Sequence, residues 1–343
     1  MISPPPELFE TIRPEPDHIR WHLRAREKEE IESLMASCGL DPALRARWVL
    51  GAARGAEADL WVVRPALEDV IAIPADTREC WYDLLMLWPQ NINQRQPFRF
   101  AVRPGVEWVN FDGFPSESRA ALSNLFYRHE DVVKFADMDV IPALLRDPND
   151  VARFKRMIAS KRTLLAALFV NPGDDIEALT EYWGVFGRRE RIRPIIELAS
   201  RSRSPWGVPL ELLFPPIPRS HIYTYQQGAS APFELDCNWS TYNFFRAEPD
   251  YSVNSAPLRR DFLLDHYDTI DAPTQFGDIV AFLDRRYRVL HLCNFIADNL
   301  VFTKNGFSVL QPWILMRLDD VEAYFQSEFQ VIQKAYFRYR GNP

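Results

Sequence analysis

Asp236-Cys237-Asn238-Trp239-Ser240, followed downstream by Gly277-Asp278-Ile279-Val280-Ala281-Phe282 and His291-Leu292-Cys293-Asn294-Phe295, is the stretch on which the reading of this chain turns. Asp236 is a helix-capping residue type, and residues 237–246 after it fit a short helix with Trp239, Tyr242, Asn243 and Phe245 around it. Ile279–Leu283, Val289–Ile296 and Leu300–Thr303 then fit strands of one antiparallel meander, with Asp298-Asn299 as a hairpin turn. A cysteine at the mouth of a helix and a histidine on a following strand are what a thiol nucleophile requires. The thiolate is the reactive form, and both a helix N-terminus and an imidazole favour it.

Working outward, residues 202–219 concentrate proline, so 204–219 is expected to be a connection between a mainly helical domain (1–203) and a second domain (220–343). In the first domain, His18–Ser37 reads as an amphipathic helix, with short β-like stretches at Leu60–Val63, Val70–Ile73 and Phe98–Val102. Asp147-Pro148-Asn149-Asp150 opens a helix expected to run to about Val170, and Arg188–Ser200 forms another with its arginines in solvent. In the second domain Ile222–Tyr225 reads as a strand. Asp319 with Glu322 caps a last helix carrying Val321, Phe325, Ile332 and Tyr336.

Composition excludes several classes. A net charge of −7 argues against a nucleic-acid partner, which needs a basic face. No run of eighteen uncharged apolar residues exists, so no membrane span is expected. The N-terminus lacks a Sec-type signal, which makes a reduced cytoplasmic location the default and leaves export by another route open. Cys38, Cys80, Cys237 and Cys293 are too widely spaced for a disulfide framework, and no CxxC pair suggests zinc; Cys38, Cys80 and Cys293 are read as core. His18 and His22, at i and i+4, lack a third ligand and are read as surface. No metal and no cofactor is expected, and oligomeric state has no signal.

The ordered set Tyr225, Gly228, Asp236-Cys237, Gly277-Asp278 and His291 resembles the NlpC-type branch of the papain-like cysteine peptidases, over residues 215–320. Asp236-Cys-x-Trp239, Asn243-Phe-Phe245, Val301-Phe-Thr-Lys-Asn-Gly306 and Pro312-Trp313 also resemble a bacterial subfamily sharing those motifs. The resemblance implies an α+β papain-like fold with an antiparallel sheet and an N-terminal catalytic helix. It implies a thiol hydrolase, an amidase or peptidase acting on an amide or isopeptide bond, with a peptide or murein fragment as substrate. Cys237 would be the nucleophile and His291 the base; the family spacing puts the third residue at Thr303, while Asn305 is the chemically better orienter, and the choice stays open. The Cys237 N–H and Tyr225 would hold the oxyanion, with Asp236 and Trp239 at the substrate cleft. Asn238-Trp239 replaces the family's small pair after the cysteine. Two rival readings keep the same residues: an acyltransferase using the same thiol, and a catalytically inactive binding module.

Overall fold

The computed structural model describes all residues except 10–11, 13, 15–18, 58, 102–108, 130–131, 202–206, 227–234, 307, 330–332 and 342–343. The chain divides into one unit of Phe9–Ile158 and a second made of Met1–Leu8 with Ala159–Pro343. The division therefore falls near residue 158 and not in the proline-rich stretch 204–219. His18, Gly228 and Ile332 lie outside the described residues.

The Phe9–Ile158 unit mixes helices with two small antiparallel sheets, where the sequence suggested a mainly helical domain. In one, β1 (Trp21–Arg24), β2 (Ala53–Arg54) and β3 (Leu60–Val63) take the order β1-β3-β2. In the other, β4 (Phe98–Ala101), β5 (Tyr127–His129) and β6 (Val132–Phe135) take the order β4-β6-β5. The expected His18–Ser37 helix is corrected: Trp21 and Leu23 alternate inward as β1, and the helix begins only at Lys28. Val70 lies in a helix, Leu67–Ala72, because Glu68 and Asp69 occupy its first turn and one buried face suffices for four apolar residues. Trp21 packs edge-on against Trp48, Trp81 and Tyr82. Cys38 and Cys80, expected as free core thiols, form a disulfide joining the end of the Lys28–Ser37 helix to the Ala75–Leu85 helix. Sequence spacing carries no signal for such a pair; only the packing of two helices brings the residues together.

The second unit begins with a two-stranded pair, β7 (Ala167–Leu168) with β8 (Val208–Pro209). The expected connection is thus folded structure where it is described: Leu210, Leu213, Phe214 and Ile217 are buried in the core of this unit. Proline is compatible with that role. Pro209 ends a two-residue strand and Pro216 opens the Pro216–His221 helix, positions where no backbone N–H is needed. The helix opened by Pro148 stops at Ala159, not Val170. The arginines of the Arg189–Arg201 helix do face outward, where Arg189 and Arg193 pair with Glu177 and Glu197. Residues 222–225 form no strand, although Tyr223 N–H reaches the Trp313 carbonyl.

The main sheet holds β9 (Tyr267–Ile270), β10 (Ile279–Leu283), β11 (Val289–Ala297), β12 (Leu300–Lys304), β13 (Trp313–Arg317) and β14 (Gln333–Tyr339), all antiparallel, in the order β13-β12-β11-β10-β14-β9. The last helix ends at Phe329, and Tyr336 lies on β14, inserted between β10 and β9. The Gln333–Tyr339 run alternates at the strand period, which the preceding helical period obscured. Strand alternation gives the sheet two buried faces. On one, Ala281, Leu292, Ile296, Phe302 and Leu315 pack with Trp239 and Phe244 of the cysteine segment. On the other, Phe282, Cys293, Phe295 and Val301 meet Val321, Tyr324 and Phe325 of the Leu318–Phe329 helix. The unit is therefore α+β.

Gly277 is the hinge into β10. Its φ is +89°, and a Cβ there would lie 2.1 Å from the Phe245 ring, so only glycine fits. Asp278 next to it has a structural task. Its buried carboxylate accepts from the N–H groups of Thr274 and Gln275 and from Arg338 on β14.

Candidate functional site

Asp236 caps the Cys237–Tyr242 helix, accepting the Trp239 N–H at 2.9 Å through one oxygen. The other oxygen accepts from Asn238 Nδ2 at 2.8 Å and from Arg259 at 3.4 Å. Cys237 is the first residue of that helix, where backbone N–H groups have no partner within the helix. Asn238 Nδ2 lies 3.8 Å from the sulfur, and the Leu292 backbone N–H works against the upward shift of the thiol. Leu292 is the residue after His291 and lies beyond the β11–β12 ladder, which starts at Asn294↔Phe302. The helix start therefore brings the thiol to the splayed end of β11, one residue from the histidine.

His291 is 1% exposed and stacks on Phe325 at 4.3 Å with the planes 16° apart. Its Nε2 lies 2.8 Å from Thr303 Oγ1, and Thr303 in turn donates to Asn305 Oδ1 at 2.8 Å. A hydroxyl has one proton. Since Thr303 gives it to Asn305, Nε2 must be the donor toward Thr303, which fixes the Nε2–H tautomer. Nδ1 is then a bare lone pair, and it is buried without a hydrogen-bond partner. Thr303 thus lies between the ring and Asn305, accepting from Nε2 and donating to Asn305 Oδ1.

The structure brings His291, Thr303 and Asn305 together, and separately Asp236 and Cys237. Among the described residues no hydrogen bond joins Sγ to Nδ1. The imidazole lies under the Leu318–Phe329 helix, whereas the cysteine helix covers the opposite face of the sheet through Leu292. Burial, then the Asp236 carboxylate, pushes the thiol up to about 12; burial lowers the imidazole to about 3. At neutral pH the two groups are a thiol and a neutral imidazole, not an ion pair. Cys237 itself is 7% exposed.

Two expected participants are elsewhere. The Tyr225 hydroxyl is shared between the carbonyls of Ile2 and Ala159, 3.1 and 3.0 Å away, so it is committed to tying down the chain start and does not serve an oxyanion. Trp239 is 1% exposed, packed in the core beside Trp313 and His221. Its side chain follows the helical period inward from Cys237, which puts it beneath the sulfur's helix and away from solvent.

Sequence reasoning missed the cations beside the thiol. Lys304 and Arg259 both oppose the upward shift of Cys237. Lys304 is fully buried, with its ammonium on the carbonyls of Gly306 and Ser308 at 3.0 and 2.9 Å. The signal was present in the quoted run Val301-Phe-Thr-Lys-Asn-Gly306, where a lysine sits between two residues of the histidine's relay. For a metal, the one candidate group among the described residues is Glu79, Asp83 and His129, whose ligand atoms lie within 4.8 Å of one another. The Lys134 ammonium lies 3.4 Å from Asp83, a cation already at that carboxylate. His22 is held through its backbone by Asn91. No described helix is long and apolar enough to cross a membrane. Comparison with known proteins adds no relative: no model of a protein family, no curated protein and no solved structure matches the chain.

Proposed function

We propose that the unit containing Ala159–Pro343 is a thiol hydrolase of papain-like, NlpC-type architecture, acting on an amide bond of a peptide, and seen in a closed resting state. One observation carries this reading: His291 is fixed as the Nε2–H tautomer by Thr303, with Nδ1 left unpartnered, on the strand whose next residue, Leu292, packs on the face covered by the cysteine helix. His22 Nδ1 and Trp239 Nε1 are likewise buried without a partner, so what distinguishes His291 is the Thr303–Asn305 chain behind its other nitrogen.

In this reading Sγ attacks the substrate carbonyl carbon while its proton passes to Nδ1. The oxyanion is received by the first-turn N–H of Cys237. Nδ1 then returns the proton to the leaving amine as the C–N bond breaks, leaving a thioester. Water attacks that thioester, giving its proton to Nδ1, and the acid product departs with Sγ as the leaving group. An amine in place of water would make the same site an acyltransferase. The first proton transfer requires the sulfur and Nδ1 to meet, so substrate must open the contact between the two faces of β11.

The sealed sulfur favours a second reading, a binding module in which Cys237 is packing. A peptide vinyl sulfone separates the two. Covalent addition mapped to Cys237 by mass spectrometry, lost in Cys237→Ala and slowed at least tenfold in Thr303→Val, is expected of the hydrolase. Absence of adduct at Cys237 in the folded protein from roughly pH 6 to 9, the range around ordinary thiol titration, would sink it. The Cys38–Cys80 bond supports an oxidising compartment over the reduced cytoplasm suggested by the N-terminus.

A further inference from the structure

In the Phe9–Ile158 unit, the Ala75–Leu85 helix and the β5–β6 hairpin bring together three ligand-type side chains that none of the chemistry above uses. Glu79 and Asp83 sit at i and i+4, so both stand on one face of the helix. On the hairpin, Tyr127 pairs with Lys134, and strand alternation puts His129 on the same face as Tyr127. That face meets the helix, with the Tyr127 ring 5.4 Å from that of Tyr82. His129, 50 residues from Glu79 in sequence, is thus carried to the two carboxylates by packing alone.

The ligand atoms of the three residues lie within 4.8 Å of one another. His129 Nδ1 is 2.8 Å from Glu79 Oε1 and 3.5 Å from Asp83 Oδ2. Donors held about 2.0–2.2 Å from one ion stand roughly 3.0–3.5 Å apart around it, so both spacings fit with little movement. Lys134 does not fill the place. Its ammonium lies 3.4 Å from Oδ1 of Asp83, the other oxygen, and leaves Oδ2 turned to the imidazole. One ring nitrogen holds one proton, and Glu79 is its nearer acceptor, so Asp83 Oδ2 faces that nitrogen with no proton left to share. Carboxylates at i and i+4 also repel each other. A cation between the three atoms answers both deficits. The side chains are half-buried, open enough for an ion to enter, and each is mounted on a helix or a strand.

Donor chemistry narrows the ion. Calcium and magnesium take oxygen ligands, whereas an imidazole nitrogen with two carboxylates suits zinc and its first-row neighbours. Three protein donors leave at least one coordination position open for water or a further ligand.

We propose that Glu79, Asp83 and His129 form a binding site for a divalent transition-metal ion, with zinc the best match. The site lies wholly within the Phe9–Ile158 unit and is independent of Cys237. Calorimetric titration of the chelator-treated full chain with zinc tests it, with calcium and magnesium as rivals. Zinc is expected to bind in a step that His129→Ala and Glu79→Gln each weaken tenfold or more, while His22→Ala leaves that step unchanged. Should His129→Ala not fold, Glu79→Gln decides, since it keeps the side-chain size and removes only the charge. Failure of zinc to bind would make the trio an ion-pair cluster only and overturn the proposal. Calcium or magnesium binding as tightly as zinc, or zinc affinity unchanged in the variants that fold, would overturn it too.

Discussion

Two buried polar networks, one in each unit, differ in a single respect: whether every atom is used. In the Phe9–Ile158 unit, Arg78 is fully buried and each part of its guanidinium has an acceptor. Nε reaches the Asn124 carbonyl, Nη1 reaches Tyr82 and Asp137, and Nη2 reaches the carbonyls of Val70 and Ile73. In the other unit, His291 is as deeply buried, yet only Nε2 is bonded. Low dielectric magnifies both cases. A closed network of that kind locks packing, since any departure strands a charge. An open one keeps a reactive lone pair at a fixed place and tolerates the cost. The comparison separates a residue whose polar atoms are all satisfied from one that keeps an unpartnered nitrogen, although burial alone would rank them together.

The largest effect is expected where the network is closed. Arg78→Met leaves the Asp137 carboxylate buried with Tyr82 as its remaining side-chain donor and takes a donor from the carbonyls of Val70, Ile73 and Asn124. Removing one partner of such a pair costs about 3–5 kcal/mol, so urea unfolding followed by the fluorescence of Trp21 and Trp81 should show loss of most of this unit's stability. A loss below about 1 kcal/mol would mean that Arg78 is no more structural than a surface cation, and the contrast with His291 would fail.

What the sequence made legible follows the same division. The strands of the meander and the Asp236 cap are local matters of period and capping, and those were readable. The choice between Thr303 and Asn305 was not readable, because strand phase alone does not settle which of two residues on one hairpin arm meets the ring. Trp239 and Tyr225 were misplaced because their roles depend on which atoms close over them, and only packing decides that. The stretch 204–219 misled for a related reason. Proline content advertises a break in regular structure, but Leu210, Leu213 and Phe214 between the prolines decide whether the segment is buried. Cys38 and Cys80 gave no warning at all, since 42 residues separate them.

A smaller effect sharpens the other side of the comparison. Burial holds the His291 imidazole at about 3 in the folded chain against 6.5 unperturbed. Between those values the unfolded chain binds a proton that the folded chain refuses, so stability is complete above pH 6.5 and falls as pH drops toward 3. Across that window the loss is at most about 5 kcal/mol. His291→Phe keeps a ring between Phe282 and Phe325 and removes the titrating group. The variant is expected to lose less stability than the parent from pH 7 to pH 4 in urea titrations, while Cys237 adduct formation disappears. Parallel pH profiles for the two proteins would show that His291 already takes up its proton in the folded state, and the imidazole would not be the isolated base described above.

The smallest effect tests what holds the thiol up. Burial is the main cause and the Asp236 carboxylate the next, so replacing that carboxylate lowers the thiol without opening the site. Asp236→Asn is suited to this because asparagine caps a helix about as well as aspartate, and the bond to the Trp239 N–H survives; stability should change by less than about 0.5 kcal/mol. The same change frees Arg259 from its partner at 3.4 Å, adding a positive field next to the sulfur. Alkylation of Cys237 by iodoacetamide at alkaline pH should therefore quicken several-fold in the variant, with the cap intact by circular dichroism. If the rate is unchanged, the sulfur is limited by access alone, and the opening of the site by substrate becomes the only route to an active thiolate. If it quickens, the helix start is already electrostatically prepared, and Asp236 is the residue that keeps the resting thiol protonated.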